Sequence, residues 1–146
     1  MNLEDQVVSL ELAKKLKELG VIQPSIFGWI YHEHSETQAW ACKHKELNAC
    51  WYVIRGTNDH KPMLWSQDKE IAAFTVAELG EMLPQSIIYE EYELILGMAK
   101  GINDWITIYY EEEESAPIDC RDTTLANSMA KMLIYLIENG LLKVKE

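Results

Sequence analysis

Thr75 and Glu78 stand three residues apart at the head of "FTVAELGEMLP", and Pro84 closes the same run. This spacing is a capping box: the threonine oxygen takes the amide three residues on, and the glutamate reaches back to the threonine's own amide. Proline lacks the donor a continuing helix needs, so the helix stops before Pro84. A short helix with Val76, Leu79, Met82 and Leu83 on its buried side is therefore fixed mid-chain.

Two further helices are marked by caps and periodicity. Ser9 precedes residues 10–19, where Leu10, Ala13, Leu16 and Leu19 share one face and Lys14, Lys15 and Lys17 the other; Gly20 ends the run. The last helix opens at Thr123 or Thr124. It carries Ala126, Met129, Ala130, Leu133, Leu136 and Ile137 on one stripe and stops at Gly140. Between them lie runs of β-formers. Residues 26–33 read as a strand, 38–44 as its hairpin partner and 49–55 as a third strand. Residues 56–70 are polar and turn-rich and read as a long loop. Residues 87–99 and 105–113 read as two strands joined at "KGIND". The order is α-β-β-β-α-β-β-α. The expected fold is a single α+β domain over residues 1–146, with an antiparallel sheet of about five strands and three helices.

Composition narrows the function classes. The chain is 48% apolar and 25% charged, as a globular protein is. No apolar run approaches the roughly 20 residues that span a bilayer. The first ten residues have neither a basic n-region nor an apolar h-region. Three cysteines (Cys42, Cys50 and Cys120) without framework spacing fit free thiols, so the cytoplasm is the expected compartment. The net charge is −11, and it is unevenly spread. Residues 86–120 hold nine acids and one base, Lys100, giving −8 and leaving −3 for the rest. A field of that sign repels phosphate, so no direct nucleic-acid contact is expected. It also argues against a helix-turn-helix in "LAKKLKELGVIQPSIFGWI". There Leu16 is too large for the helix contact, and "SIFGWIYH" suits a strand better than a recognition helix.

The blocks "VVSLELAKKLKELGV", "AAFTVAELGEMLP" and "AKMLIYLIENGLL" resemble a group of small proteins of phages, prophages and other bacterial mobile elements. They coincide with the three helices. The resemblance implies an origin in a bacterial host cell and no particular chemistry.

Three constellations bear on chemistry. His32, His34, Cys42 and His44 would offer a zinc-type N and S ligand set if residues 32–44 formed a hairpin with matching faces. The alternative is solvated histidines and no ion. In the second, a three-residue turn at residues 101–103 would place Tyr92, Leu94, Leu96 and Met98 beside Ile106, Ile108 and Tyr110. Glu91 would then face Glu113, and Glu93 would face Glu111. Four carboxylates so placed repel one another unless a cation or a basic partner meets them. In the third, Cys120 lies just before the last helix, where a thiol can be acidified, but Asp119 and Asp122 oppose that effect. No phosphate loop, G-x-S-x-G or H-E-x-x-H occurs. Trp65, in a polar loop, is either an exposed contact or a staple pinning the loop to the body.

The sequence is thus read as a non-catalytic acidic module without a cofactor. It would bind a basic macromolecular partner, a host or phage protein, through Glu91, Glu93, Glu111, Glu112, Glu113, Glu114, Tyr109 and Trp65. One concrete form is an inhibitor of a host defence nuclease. The alternative is a small-ligand or zinc module on the histidine hairpin, and the third reading is a small hydrolase.

Overall fold

A computed structural model describes residues 2–33, 45–46, 49–57, 61–111 and 117–144. The class is α+β, with three helices and antiparallel sheets. Each helix begins where its cap is. In α1 (Leu10–Glu18) the Ser9 oxygen accepts from the Leu12 amide, and Leu10, Ala13 and Leu16 are buried. In α2 (Val76–Met82) both halves of the Thr75–Glu78 capping box are made. In α3 (Leu125–Glu138) the Thr124 oxygen accepts from the Asn127 amide. Gly20 and Gly140, just past α1 and α3, take positive φ of 84° and 69°, as helix-terminating glycines do.

Two four-stranded antiparallel sheets and one small pair form among the described residues. The first sheet contains β2 (Phe27–Glu33), β3 (Lys45–Glu46), β4 (Ala49–Arg55) and β6 (Glu70–Ala72) in the order β3-β4-β2-β6. In its centre Trp29 lies between Val53 and Ile71, and its indole N–H donates to the Val8 carbonyl at 3.0 Å. The small pair joins β1 (Pro24–Ser25) to β5 (Met63–Leu64). The second sheet is a meander of β7 (Ser86–Tyr89), β8 (Tyr92–Lys100), β9 (Trp105–Tyr110) and β10 (Ile118–Asp122).

As expected, strands β1 and β2 follow α1 rather than a second, recognition helix. Other sequence expectations are corrected. The strand at 26–33 pairs with β4 and β6, while the expected partner at 38–44 lies outside the described residues. The run 87–99 is not one strand but a hairpin, β7 and β8, folded at Glu90-Glu91. Residues 118–122, read as the approach to the last helix, form β10. The loop 56–70 carries β5 and the start of β6.

Helix α3 lies against β9 and β10 on one side and against α1 and α2 on the other. Its burial therefore exceeds a single stripe: Ser128, Met132 and Ile134 are buried along with Ala126, Met129, Ala130, Leu133 and Leu136. Buried Ser128 is satisfied by Thr107, whose hydroxyl lies 2.8 Å away, and by the Leu125 carbonyl. At the head of α3, Asp122 accepts from the Thr123 amide at 2.7 Å and pairs with Lys131 at 2.7 Å. Asn127 accepts from the Ser9 amide, tying the start of α1 to the start of α3.

Two predictions follow from this packing. A Cβ at Gly28 would overlap the ring of buried Trp65, which is held by an indole N–H bond to the Ser25 carbonyl. Gly28→Ala is expected to cost about 1–3 kcal/mol, as overpacking does. The check is a lowered urea midpoint at unchanged slope. The Asp122 carboxyl is raised by burial, but Lys131 and the Thr123 donors outweigh this and hold it below its ordinary 3.8. Its stabilisation is therefore present above that value and is lost as pH falls below it. Asp122→Asn should flatten this part of an acid-unfolding profile followed by circular dichroism.

Candidate interaction surface

The β8–β9 turn decides which residues this surface contains. Lys100 pairs with Trp105, and the Gly101 amide donates to the Asp104 carbonyl at 2.8 Å, closing a four-residue loop. The expected three-residue turn would have placed every pair one residue away. The observed register puts Leu96 opposite Tyr109 and Ile95 opposite Tyr110. A one-residue slip exchanges the two faces of a strand. On β9 it is consequently Thr107 and Tyr109 that face the core, while Ile106, Ile108 and Tyr110 face out. This register does not set Glu93 opposite Glu111, and Glu113 lies outside the described residues. On its other edge β8 pairs with β7, where Glu93 lies opposite Ile88.

What forms on the outer face is mainly apolar. Continuing the register across the sheet aligns Ile88 on β7, Ile95 and Gly97 on β8, and Ile106, Ile108 and Tyr110 on β9. Ile88 is 67% exposed and Ile95 39%. The Tyr110 ring lies across Gly97, where a Cβ would stand 2.8 Å from it. An aromatic ring laid over a strand glycine shields the backbone there and holds the ring flat on the sheet. Helix α3 covers the opposite face, through Thr107 and Ser128. At the β10 edge the outer face turns polar: Arg121 pairs with Asp119 at 3.1 Å and lies 4.0 Å from Asp104.

The acidic residues gather at one end of this sheet. Glu90 and Glu91 form the β7–β8 turn, Glu93 is two residues into β8, and Glu111 follows directly on Tyr110, whose partner is Ile95. All four are exposed, and none is ion-paired among the described residues. Glu112, Glu113 and Glu114 lie outside the described residues. Glu90 and Glu91 have φ of 47° and 76°. A two-residue hairpin turn with positive φ at both centres is normally built from Asn and Gly, because a Cβ disfavours that backbone.

The other candidate residues fall elsewhere. Tyr109 is fully buried and donates its hydroxyl to the Pro84 carbonyl at 2.6 Å; burial pushes its pKa up to about 12. Trp65 is 2% exposed and is the staple rather than the contact. Neither can serve as a surface contact. His32 is exposed on β2 opposite Cys50, while His34, Cys42 and His44 lie outside the described residues. Cys50 is disulfide-bonded, which corrects the expectation of free thiols throughout. Among the described residues, no group of three His, Cys, Asp or Glu side chains is placed to hold a metal. Cys120 is a free thiol within strand β10, opposite Thr107. Burial first, and then the Asp119 charge, push it up, the reverse of an activated nucleophile.

Sequence reasoning missed the outer isoleucines as a surface because it assigned them to the core. The signal was present in "WITIYY", which is apolar at both parities. The chain matches no protein-family model, no curated protein and no solved structure.

Replacing Glu90-Glu91 with Asn-Gly relieves the left-handed strain and should raise stability by about 1–2 kcal/mol. Urea denaturation of the double variant checks this, and an unchanged or lower midpoint would contradict it.

Proposed function

We propose that this chain is a non-catalytic protein-binding module that docks through the outer face of the β7–β10 sheet. The observation that carries the reading is the row of exposed Ile88 and Ile95 and half-buried Ile108 and Tyr110 beside Glu90, Glu91, Glu93 and Glu111, four carboxylates without ion-pair partners among the described residues. Apolar contact supplies affinity once water is expelled. The carboxylates choose a partner of opposite charge and speed its approach. The partner is accordingly a protein that offers an apolar anchor flanked by Lys and Arg. The resemblance to phage and mobile-element proteins supports a host protein in the bacterial cytoplasm. A defence nuclease, whose basic nucleic-acid channel would receive the glutamates, is one such target.

The test is capture from a bacterial lysate on the immobilised protein at low salt and at about 0.5 M salt, where charges are screened within several ångströms. A partner eluted by salt is expected. Ile88→Lys with Ile95→Lys should reduce capture at least about tenfold, because the new charges repel a basic partner and remove the apolar contact. Glu90→Gln, Glu91→Gln and Glu93→Gln together should leave weaker binding with little salt dependence. Capture unaltered by both sets would rule the surface out.

A further inference from the structure

A second feature lies away from that sheet face. An apolar groove of about 380 Å³ runs between the segment after α1, the end of α2, the second half of α3 and the tail after it. Its volume lies in the range of sites that enclose small molecules. Leu133, Ile137 and Met82 come from the helices, and Val21, Leu142 and Val144 from the flanking segments. Ile22, also lining the groove, remains 43% exposed.

The charge around this groove is one-sided. Among the described residues Glu78 and Glu81 line it, against a single Lys143. The Glu78 carboxylate is occupied, yet all its donors are neutral: the Thr75 amide and hydroxyl, the Ser25 hydroxyl and the Ile26 amide. No cation is ion-paired with it among the described residues. Glu81 is exposed and has no ion pair among the described residues. Met82 is the last residue of α2, and Ile137 the last but one of α3, whose final carbonyls accept from the Asn139, Gly140 and Leu141 amides.

We infer that the groove binds a small organic cation: an apolar body seated on Leu133, Ile137 and Met82, with one ammonium group directed to Glu81. The inference is independent of the protein-docking surface, since it uses none of the same residues. The carboxylate side rejects an anion of the same shape, while the apolar floor sets the affinity for the body.

Octylammonium, octanol and octanoate have equal chain lengths and differ in charge, which makes them suitable probes. Titration followed by NMR of the intact chain at neutral pH should show saturable binding of octylammonium. It should be about tenfold tighter than that of octanol, with octanoate weakest. Glu81→Gln lies on an exposed position and should fold normally. It is expected to bring octylammonium close to octanol and leave octanol unchanged. Val144→Asp should weaken octanol. Equal binding of all three probes, no saturable binding, or a Glu81→Gln variant that keeps the full preference would overturn the assignment. Tighter binding of Nα-acetyl-lysine amide than of octylammonium would overturn it in favour of a lysine on a partner protein.

Discussion

The Glu78 carboxylate joins parts of the chain that local sequence does not connect. One oxygen accepts from the Thr75 amide at 2.8 Å and the Ser25 hydroxyl at 2.9 Å; the other accepts from the Ile26 amide at 2.9 Å. The first bond is a helix cap, decided within four residues. The other two fix the entry into β2 from a position more than fifty residues away. Leaving the Thr75 and Ile26 donors unpaired would cost on the order of 1–3 kcal/mol for each that became buried. From this junction the strand runs directly to Gly28, where the chain passes beneath the Trp65 ring. Gln23 repeats the device on the neighbouring segment. Its side chain accepts from the Ala72 amide and donates to the Val21 carbonyl, closing a backbone that β1 is too short to close.

Helix α3 is the wall between the second sheet and helices α1 and α2. Its buried residues are apolar except Ser128, and that hydroxyl meets Thr107 on β9. A hydroxyl pair in a packed interface adds little net energy, but misplacing it leaves two buried polar groups unsatisfied. The pair therefore fixes the rotation of α3 against the sheet and, with it, which parity of β9 faces inward. Tyr109 reinforces the same parity by donating to the Pro84 carbonyl at the end of α2.

The helices were legible in the sequence because their signals are local. Ser9, Thr75 with Glu78, and Thr124 or its neighbour each mark a start within four residues of its partner amide. The α+β class followed from them. The sheet details were not legible, for reasons that differ. The β8–β9 register turned on whether the loop had three residues or four, a choice settled by Asp104 receiving the Gly101 amide. The β7–β8 turn carries neither Gly nor Asn, so nothing in "YEEY" announced it. Trp65 was read as able to lie in or out; its position follows from Gly28, thirty-seven residues earlier, and no local pattern records that pairing. The acidic end of the sheet was visible as charge density, while its side-chain geometry was not.

The residues of β9 show why the outer face is informative. A strand buried on one side and wet on the other alternates apolar with polar, whereas a strand covered on both sides is apolar throughout. "WITIYY" is nearly the second kind, and on its inner side it even carries Thr107 where an apolar residue would pack. Helix α3 covers only that inner side. Ile106, Ile108 and Tyr110 thus have the composition of a covered face without a covering element among the described residues. Ile88 and Ile95 extend the same row to the edge strand. The turn beside them keeps two glutamates on a backbone that favours Asn and Gly, a local cost that strand pairing alone does not require. On the proposed docking role, a partner that contacts both would account for surplus apolar surface and retained strain at the same end of one sheet.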